Sequence, residues 1–121
     1  MATDVEFAEV FKARTKSFAL RVIKLFQALP KTDEAKIIGK QLLRSSTSVA
    51  SNYRAACRGR SKAEFYAKLS IVIEEADESL FWIEILIEAN IVPEIKLIEL
   101  KKEITEIVSI VAKARKSMNN S

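Results

Sequence analysis

Histidine is absent from this 121-residue chain, and cysteine occurs once, as Cys57. Without histidine the chain lacks the commonest general base, the commonest metal ligand and the base of Ser-His and Cys-His nucleophile pairs. A single cysteine excludes a disulfide within the chain and is typical of a reducing cytoplasm. We therefore predict a cytoplasmic protein that is not an enzyme, with no metal, no cofactor and no small-molecule substrate.

Glycine and proline are also scarce, with two of each, whereas 49% of the residues are apolar. This scarcity, together with abundant Ala, Leu, Ile, Glu and Lys, favours an all-α protein. The length is typical of one domain, which we place at residues 1–121. No apolar run reaches the roughly 18 residues that a membrane-spanning helix needs, so we expect no membrane partner.

Start and stop residues divide the chain into four predicted helices, near residues 4–29, 34–58, 61–89 and 93–116. Pro30 ends the first helix, and Asp33 is a candidate cap for the second. The run Ser61-Lys62-Ala63-Glu64 has the form of a capping box at the start of the third. Asn90 ends that helix, and Pro93 opens the fourth.

Each predicted helix carries an apolar stripe at spacings of three, four and seven residues. Four such helices with short connections predict an antiparallel up-down-up-down four-helix bundle. Arg14 interrupts the first stripe between Phe11 and Phe18. Its side chain either snorkels at the edge of the core or is a partly buried cation that needs an acid.

Charge is divided into two neighbouring blocks. Residues 40–68 carry seven basic side chains and one acidic, whereas residues 69–90 carry six acidic side chains and no basic one. A turn at Gly59-Arg60 would bring the two blocks face to face across a helical hairpin. We predict an ion pair from Arg44 to Glu74, Glu75 or Glu78. The predicted polar network between the helices comprises Arg44, Asn52, Glu75 and Glu78.

Four cations near the turn are candidates for contact with nucleic-acid phosphates, namely Arg54, Arg58, Arg60 and Lys62. The alternative is that these side chains form a solvated or internally paired face, since a basic patch alone records only an electrostatic footprint.

Serines are concentrated in the middle of the second helix, at positions 45, 46, 48 and 51. No base accompanies them, so close helix packing is favoured over a nucleophile. The acids of the third helix likewise lack the histidines of di-metal bundle sites. Phe81 and Trp82 are adjacent on that helix and cannot both face one core, so we predict that one of them contacts a second subunit.

Five motifs, in this order along the chain, resemble one known family: Pro30-Lys31, Gln41-Leu42-Leu43-Arg44-Ser45, Asn52-Tyr53-Arg54-Ala55-Ala56, Ser61-Lys62-Ala63-Glu64-Phe65 and Glu74-Glu75-Ala76-Asp77-Glu78-Ser79. The family is that of the bacterial four-helix proteins encoded in intervening sequences of the 23S ribosomal RNA gene, and the resemblance covers roughly residues 7–115. It implies a homopentamer. The family also includes the accessory protein of diversity-generating retroelements, a basic pentamer that binds nucleic acid and a reverse transcriptase.

Two classes of function follow. The first is a non-enzymatic homo-oligomeric interaction protein that presents a basic surface to RNA, DNA or a nucleic-acid-handling partner. The second is a purely structural, self-assembling scaffold with no role in nucleic-acid binding. A salt-dependent shift of labelled RNA or DNA would separate them.

Overall fold

The computed structural model describes residues 4–119, which form four long helices with no strand among them. The helices are α1 (Asp4–Ala28), α2 (Asp33–Cys57), α3 (Lys62–Glu88) and α4 (Ile98–Asn119), and a short 3₁₀ helix, Glu94–Lys96, precedes α4. The predicted all-α four-helix bundle is confirmed, with the first three helices within a few residues of their expected bounds.

Each helix packs on the next one along the chain, and the short connections make neighbours antiparallel. Among the helix pairs that are neighbours in the bundle, α2 and α3 have the most extensive contact and α1 and α4 the least extensive. Apolar side chains from all four helices meet in one core, whose largest fully buried members include Phe18, Leu42, Leu69, Ile83 and Ile107. The bundle is therefore tightest along α2 and α3 and loosest between its first and last helices.

The caps at the starts of α2 and α3 differ in detail from the expected ones. Thr32, rather than Asp33, caps α2: its Oγ1 accepts a hydrogen bond from the backbone N–H of Ala35 at 3.3 Å. Asp33 instead occupies the first turn, where its charge is favoured by the helix dipole. Ser61 caps α3 as predicted, but the Glu64 carboxylate accepts from the backbone N–H of residue 60 at 2.7 Å, one residue before the cap.

Asn90 ends α3 in the left-handed conformation, with φ of 58°. Its backbone N–H bonds to the carbonyl of Ile87, and that of Ile91 bonds to the carbonyl of Leu86. This is the Schellman arrangement, in which Asn takes the place more often held by Gly. Pro93 has an extended ψ of 138°, so the chain makes one 3₁₀ turn before α4 begins at Ile98, five residues later than predicted.

Two of the four serines of α2, Ser45 and Ser46, serve helix packing as expected, whereas Ser48 is half-buried and Ser51 is exposed. Ser45 and Ser46 are fully buried, and each hydroxyl donates to a backbone carbonyl three residues earlier. Ser79 of α3 donates from its Oγ to the Oγ of Ser45 at 2.8 Å, so a buried hydrogen bond joins the two helices. Small hydroxyl side chains therefore let α2 and α3 approach closely without leaving unpaired polar groups.

Candidate functional site

Arg44 on α2 forms the predicted ion pairs with α3. Its Nη1 donates to Glu75 at 2.8 Å and its Nη2 donates to Glu78 at 2.5 Å. The hydrogen bonds to Glu78 and Glu75 raise the pKa of Arg44. Hydrogen bonds from Trp82 and then from Arg44 lower the pKa of Glu78. Arg44 is thus neutralised within the molecule and contributes little to any external basic surface.

Asn52 does not join this network, which corrects the prediction that it links helices. Its Nδ2 donates to the carbonyl oxygen and to the Oγ of Ser48, at 3.0 and 2.8 Å. Ser48 lies one turn earlier on the same helix face, where a short amide can reach it without spanning to α3. Asn52 therefore satisfies its donor group locally, inside α2.

Arg14 has the acid partners that one of its two sequence interpretations required. Its Nε and Nη2 donate to the two carboxylate oxygens of Glu103 on α4, at 2.7 and 2.8 Å, and Nη2 also donates to Glu106. These hydrogen bonds, that to Glu103 foremost, raise the pKa of Arg14, and the same contact lowers the pKa of Glu103. This ion pair joins α1 to α4 across the loosest contact of the bundle.

The four candidate cations differ from both of these arginines. Arg54, Arg58, Arg60 and Lys62 all have exposed side chains, and none of them has an ion pair or side-chain hydrogen bond with the described residues. The first two lie one turn apart at the end of α2, and the other two lie in the turn and at the first residue of α3. The structure thus brings all four to one end of the α2–α3 hairpin.

Two further cations, absent from the sequence prediction, extend this surface. Lys12 and Lys16 of α1 line the same groove as Arg54 and Arg58 of α2, a concavity of about 690 Å³. Their spacing of four residues places both lysines on one face of α1. The sequence shows this four-residue spacing and so indicates a basic face on α1. Only the packing of α1 on α2 shows that this face forms one wall of a basic groove.

An apolar cavity of about 650 Å³ lies between α1 and α4 at the same end of the bundle, lined by aromatic side chains that include Phe7, Phe11 and Phe65. The ring of Tyr53 meets that of Phe11 edge to face at 4.7 Å, and burial, followed by the neighbouring Cys57, raises the pKa of Tyr53. The cavity has few polar groups that could orient a ligand.

Phe81 and Trp82 diverge as predicted, with Phe81 directed outward and 49% exposed. Trp82 packs against the core and donates from its Nε1 to Glu78 at 3.0 Å. The two rings still touch edge to face, with 4.9 Å between centroids. Phe81 is therefore the member of the pair that is available to a second subunit.

Two other properties of the described residues bear on function. No helix within residues 4–119 is both long and apolar enough to span a membrane. No cluster of three or more Cys, Asp or Glu side chains in this part of the chain could hold a metal ion.

Comparison with known proteins identifies a family and similar solved structures. The model of the 23S rRNA-intervening sequence protein family matches residues 9–113. A crystal structure of a protein of unknown function from the S23 ribosomal protein family of Bacteroides thetaiotaomicron is 31% identical in sequence, with a TM-score of 0.84 over 90% of this chain and 97% of that one. No curated protein matches the chain.

Proposed function

Because the chain belongs to the 23S rRNA-intervening sequence protein family, and the Bacteroides protein that it resembles is of unknown function, we propose its function from the charged residues on its own surface. The protein is a non-enzymatic, homo-oligomeric interaction protein that binds RNA or DNA through Arg54, Arg58, Arg60 and Lys62. Binding is electrostatic and tolerant of sequence, because exposed cations recognise phosphates rather than base edges.

The observation that carries this proposal is the difference between two sets of arginines. Arg14 and Arg44 each contact two carboxylates, so their charge is compensated within the bundle. The four candidate cations contact no carboxylate of the described residues and cluster at one end of the hairpin. Their positive potential is therefore available to an external polyanion.

Self-assembly is the second part of the proposal. Phe81 is a large exposed aromatic residue, and Ile71, also exposed, lies ten residues earlier on the same helix. A large exposed aromatic side chain such as Phe81 can be covered by a second subunit. The family resemblance implies a homopentamer. Such an assembly would repeat the basic end of the α2–α3 hairpin five times around one axis, so that the positive electrostatic potentials of the five copies add.

The test uses fluorescence anisotropy with labelled single-stranded RNA at salt concentrations from about 50 to 200 mM. Replacing Arg58, Arg60 and Lys62 together by Ala removes three contacts and should flatten the slope of log affinity against log salt by about 2.1. The matched control replaces three exposed lysines elsewhere, Lys96, Lys102 and Lys113, and should leave the slope unchanged.

The alternative function, a purely structural scaffold, is separated by the same measurement. A wild-type protein that assembles normally but binds no nucleic acid at about 50 mM salt, where phosphate contacts are strongest, would favour the scaffold. Equal loss of binding in the triple variant and in its control would also contradict the proposed surface, because it would indicate a general effect of net charge.

A further inference from the structure

Among the residues that the structure describes, four cations and one acid line the groove between α1 and α2. Lys12 and Lys16 stand on the α1 side, Arg54 and Arg58 stand on the α2 side, and Glu9 is the acidic residue. Cations on both walls can contact a ligand that lies between them, which a flat basic patch cannot do. The volume of about 690 Å³ is in the range of ordinary ligand clefts.

The single acid compensates only one of these cations. Lys12 pairs with Glu9, with 2.6 Å between Nζ and Oε1. The other three cations that line the groove have no carboxylate partner among the described residues. The groove therefore carries a net positive charge, which favours an anionic ligand.

Small side chains form the rest of the lining. Ala13, Ala50, Thr47 and Ser51 lie between the charged walls, so a chain can lie close to both helices. None of the described residues that line the groove is aromatic, so these residues offer bases no ring on which to stack. A ligand held here is recognised by its backbone charge and not by its bases.

We propose that this groove binds the sugar-phosphate backbone of single-stranded nucleic acid. The inference rests on the proposed function and adds both a path for the strand and a preference for single strands. A single strand can lie along the cleft with phosphates directed to α1 and α2 alternately. A duplex carries its phosphates on a wide convex cylinder, which can reach the outer cations but cannot enter between the helices.

Lys16→Gln tests the α1 wall without altering any residue of the α2–α3 turn. Loss of one contact with a single strand should flatten the salt slope by about 0.7, which lowers affinity about eightfold at 50 mM salt and about threefold at 200 mM. Lys102→Gln, at an exposed position of α4, is the matched control and should change affinity little. The probe is a labelled oligothymidylate, measured by anisotropy.

A second variant blocks the groove and keeps every cation. Ser51→Glu places a carboxylate three residues before Arg54 and seven before Arg58, and should lower affinity by at least the eightfold expected for one lost contact. Ser109→Glu adds the same charge at an exposed position of α4 and should have little effect.

Removing the acid of the groove should act in the opposite direction. Glu9→Gln frees Lys12 for a phosphate, so affinity should rise by up to about eightfold at 50 mM salt and the slope should steepen by about 0.7. Glu99→Gln, an exposed change in the first turn of α4, is the control for net charge. A gain of binding cannot be attributed to misfolding.

Failure of the groove can be distinguished from failure of the proposed function. Suppose that the wild type binds normally, that the triple-alanine variant of the turn loses binding, and that Lys16→Gln and Ser51→Glu bind as the wild type does. This result would overturn the groove proposal and leave the proposed function intact. A duplex with the same number of phosphates that binds as tightly as the oligothymidylate would also overturn it, as would poly-glutamate that competes equally at equal charge. No wild-type binding at 50 mM salt would refute both proposals.

Discussion

The ion pair between Arg14 and Glu103 should have a larger effect on stability than any other charged contact described above. It joins α1 to α4, the neighbouring helices with the least extensive contact, so few other contacts can replace it. The Arg14 side chain is 31% exposed and that of Glu103 is 18% exposed. The contact is therefore intermediate between a surface pair, worth about 1 kcal/mol or less, and a buried pair, whose disruption costs about 3–5 kcal/mol.

Arg14→Ala should consequently reduce the free energy of unfolding by about 2 kcal/mol, since three charge-assisted hydrogen bonds are lost, one of them to the exposed Glu106, and the largely buried Glu103 carboxylate loses its partner. For a chain of this length, that loss corresponds to a fall of about 8 °C in Tm. Urea unfolding followed by circular dichroism measures the free energy directly, at one fixed protein concentration because the proposed assembly would make the measured stability depend on concentration.

A double-mutant cycle isolates the pair from the loss of packing. Glu103→Ala in the Arg14→Ala background should cost much less than it does in the wild type, giving a coupling energy of about 1–2 kcal/mol. Lys24→Ala, an exposed change on α1, should shift stability by less than about 0.5 kcal/mol. A coupling energy near zero would refute the assignment of this contact as the tie between α1 and α4.

Three further outcomes are expected. The pKa values of Glu78 and Glu103 are lowered in the folded protein. Their contribution to stability is therefore complete above their usual pKa of 4.5 and is lost as the pH falls through the lowered values. Glu103→Gln should consequently reduce the loss of unfolding free energy that is measured as the pH is lowered below 4.5. Ser45→Leu should destabilise the protein by roughly 1–3 kcal/mol in urea unfolding by overpacking the α2–α3 contact, whereas Ser109→Leu, at an exposed site, should change stability by less than about 0.5 kcal/mol. Phe81→Ser should lower the mass found by light scattering from about five subunits toward one, with helix content unchanged; a monomeric wild type would contradict the assembly proposal.

Local sequence signals predicted most of the fold. Proline, asparagine and the serine cap act on the backbone next to them, so Pro30, Ser61 and Asn90 locate helix ends without knowledge of tertiary structure. The short turn after α2 also sets the register of the α2–α3 hairpin, which is why the contact of Arg44 with α3 could be predicted.

The errors arose where two local partners compete or where the contact is not local. Thr32 and Asp33 are both suitable capping residues. The helix start shifts by one residue according to which of their side-chain oxygens accepts the backbone hydrogen bond. Asn52 had a nearer partner in its own helix. The partners of Arg14 lie on α4, which no hairpin connects to α1, so no register could be calculated from the chain.

The basic groove was missed for a related reason. The cations of its two walls are far apart in the sequence. Arg54 and Arg58 belong to the basic block at residues 40–68, whereas Lys12 and Lys16 lie outside it. Only the packing of α1 on α2 combines them. A groove is a property of two helices, whereas amphipathic analysis treats each helix alone.

The register of the α2–α3 hairpin explains why one arginine of α2 is paired and its neighbours are not. Arg44 lies level with Glu75 and Glu78, inside the acidic block that begins at residue 74. Continuing the same antiparallel register toward the turn places Arg54 level with residues 65–70, which include no acid. Arg58 lies level with the start of α3, where Glu64 accepts a hydrogen bond from the backbone N–H of residue 60 and makes no ion pair with Arg58. The distance of each arginine from the turn therefore decides whether its charge serves the bundle or remains available to a polyanion.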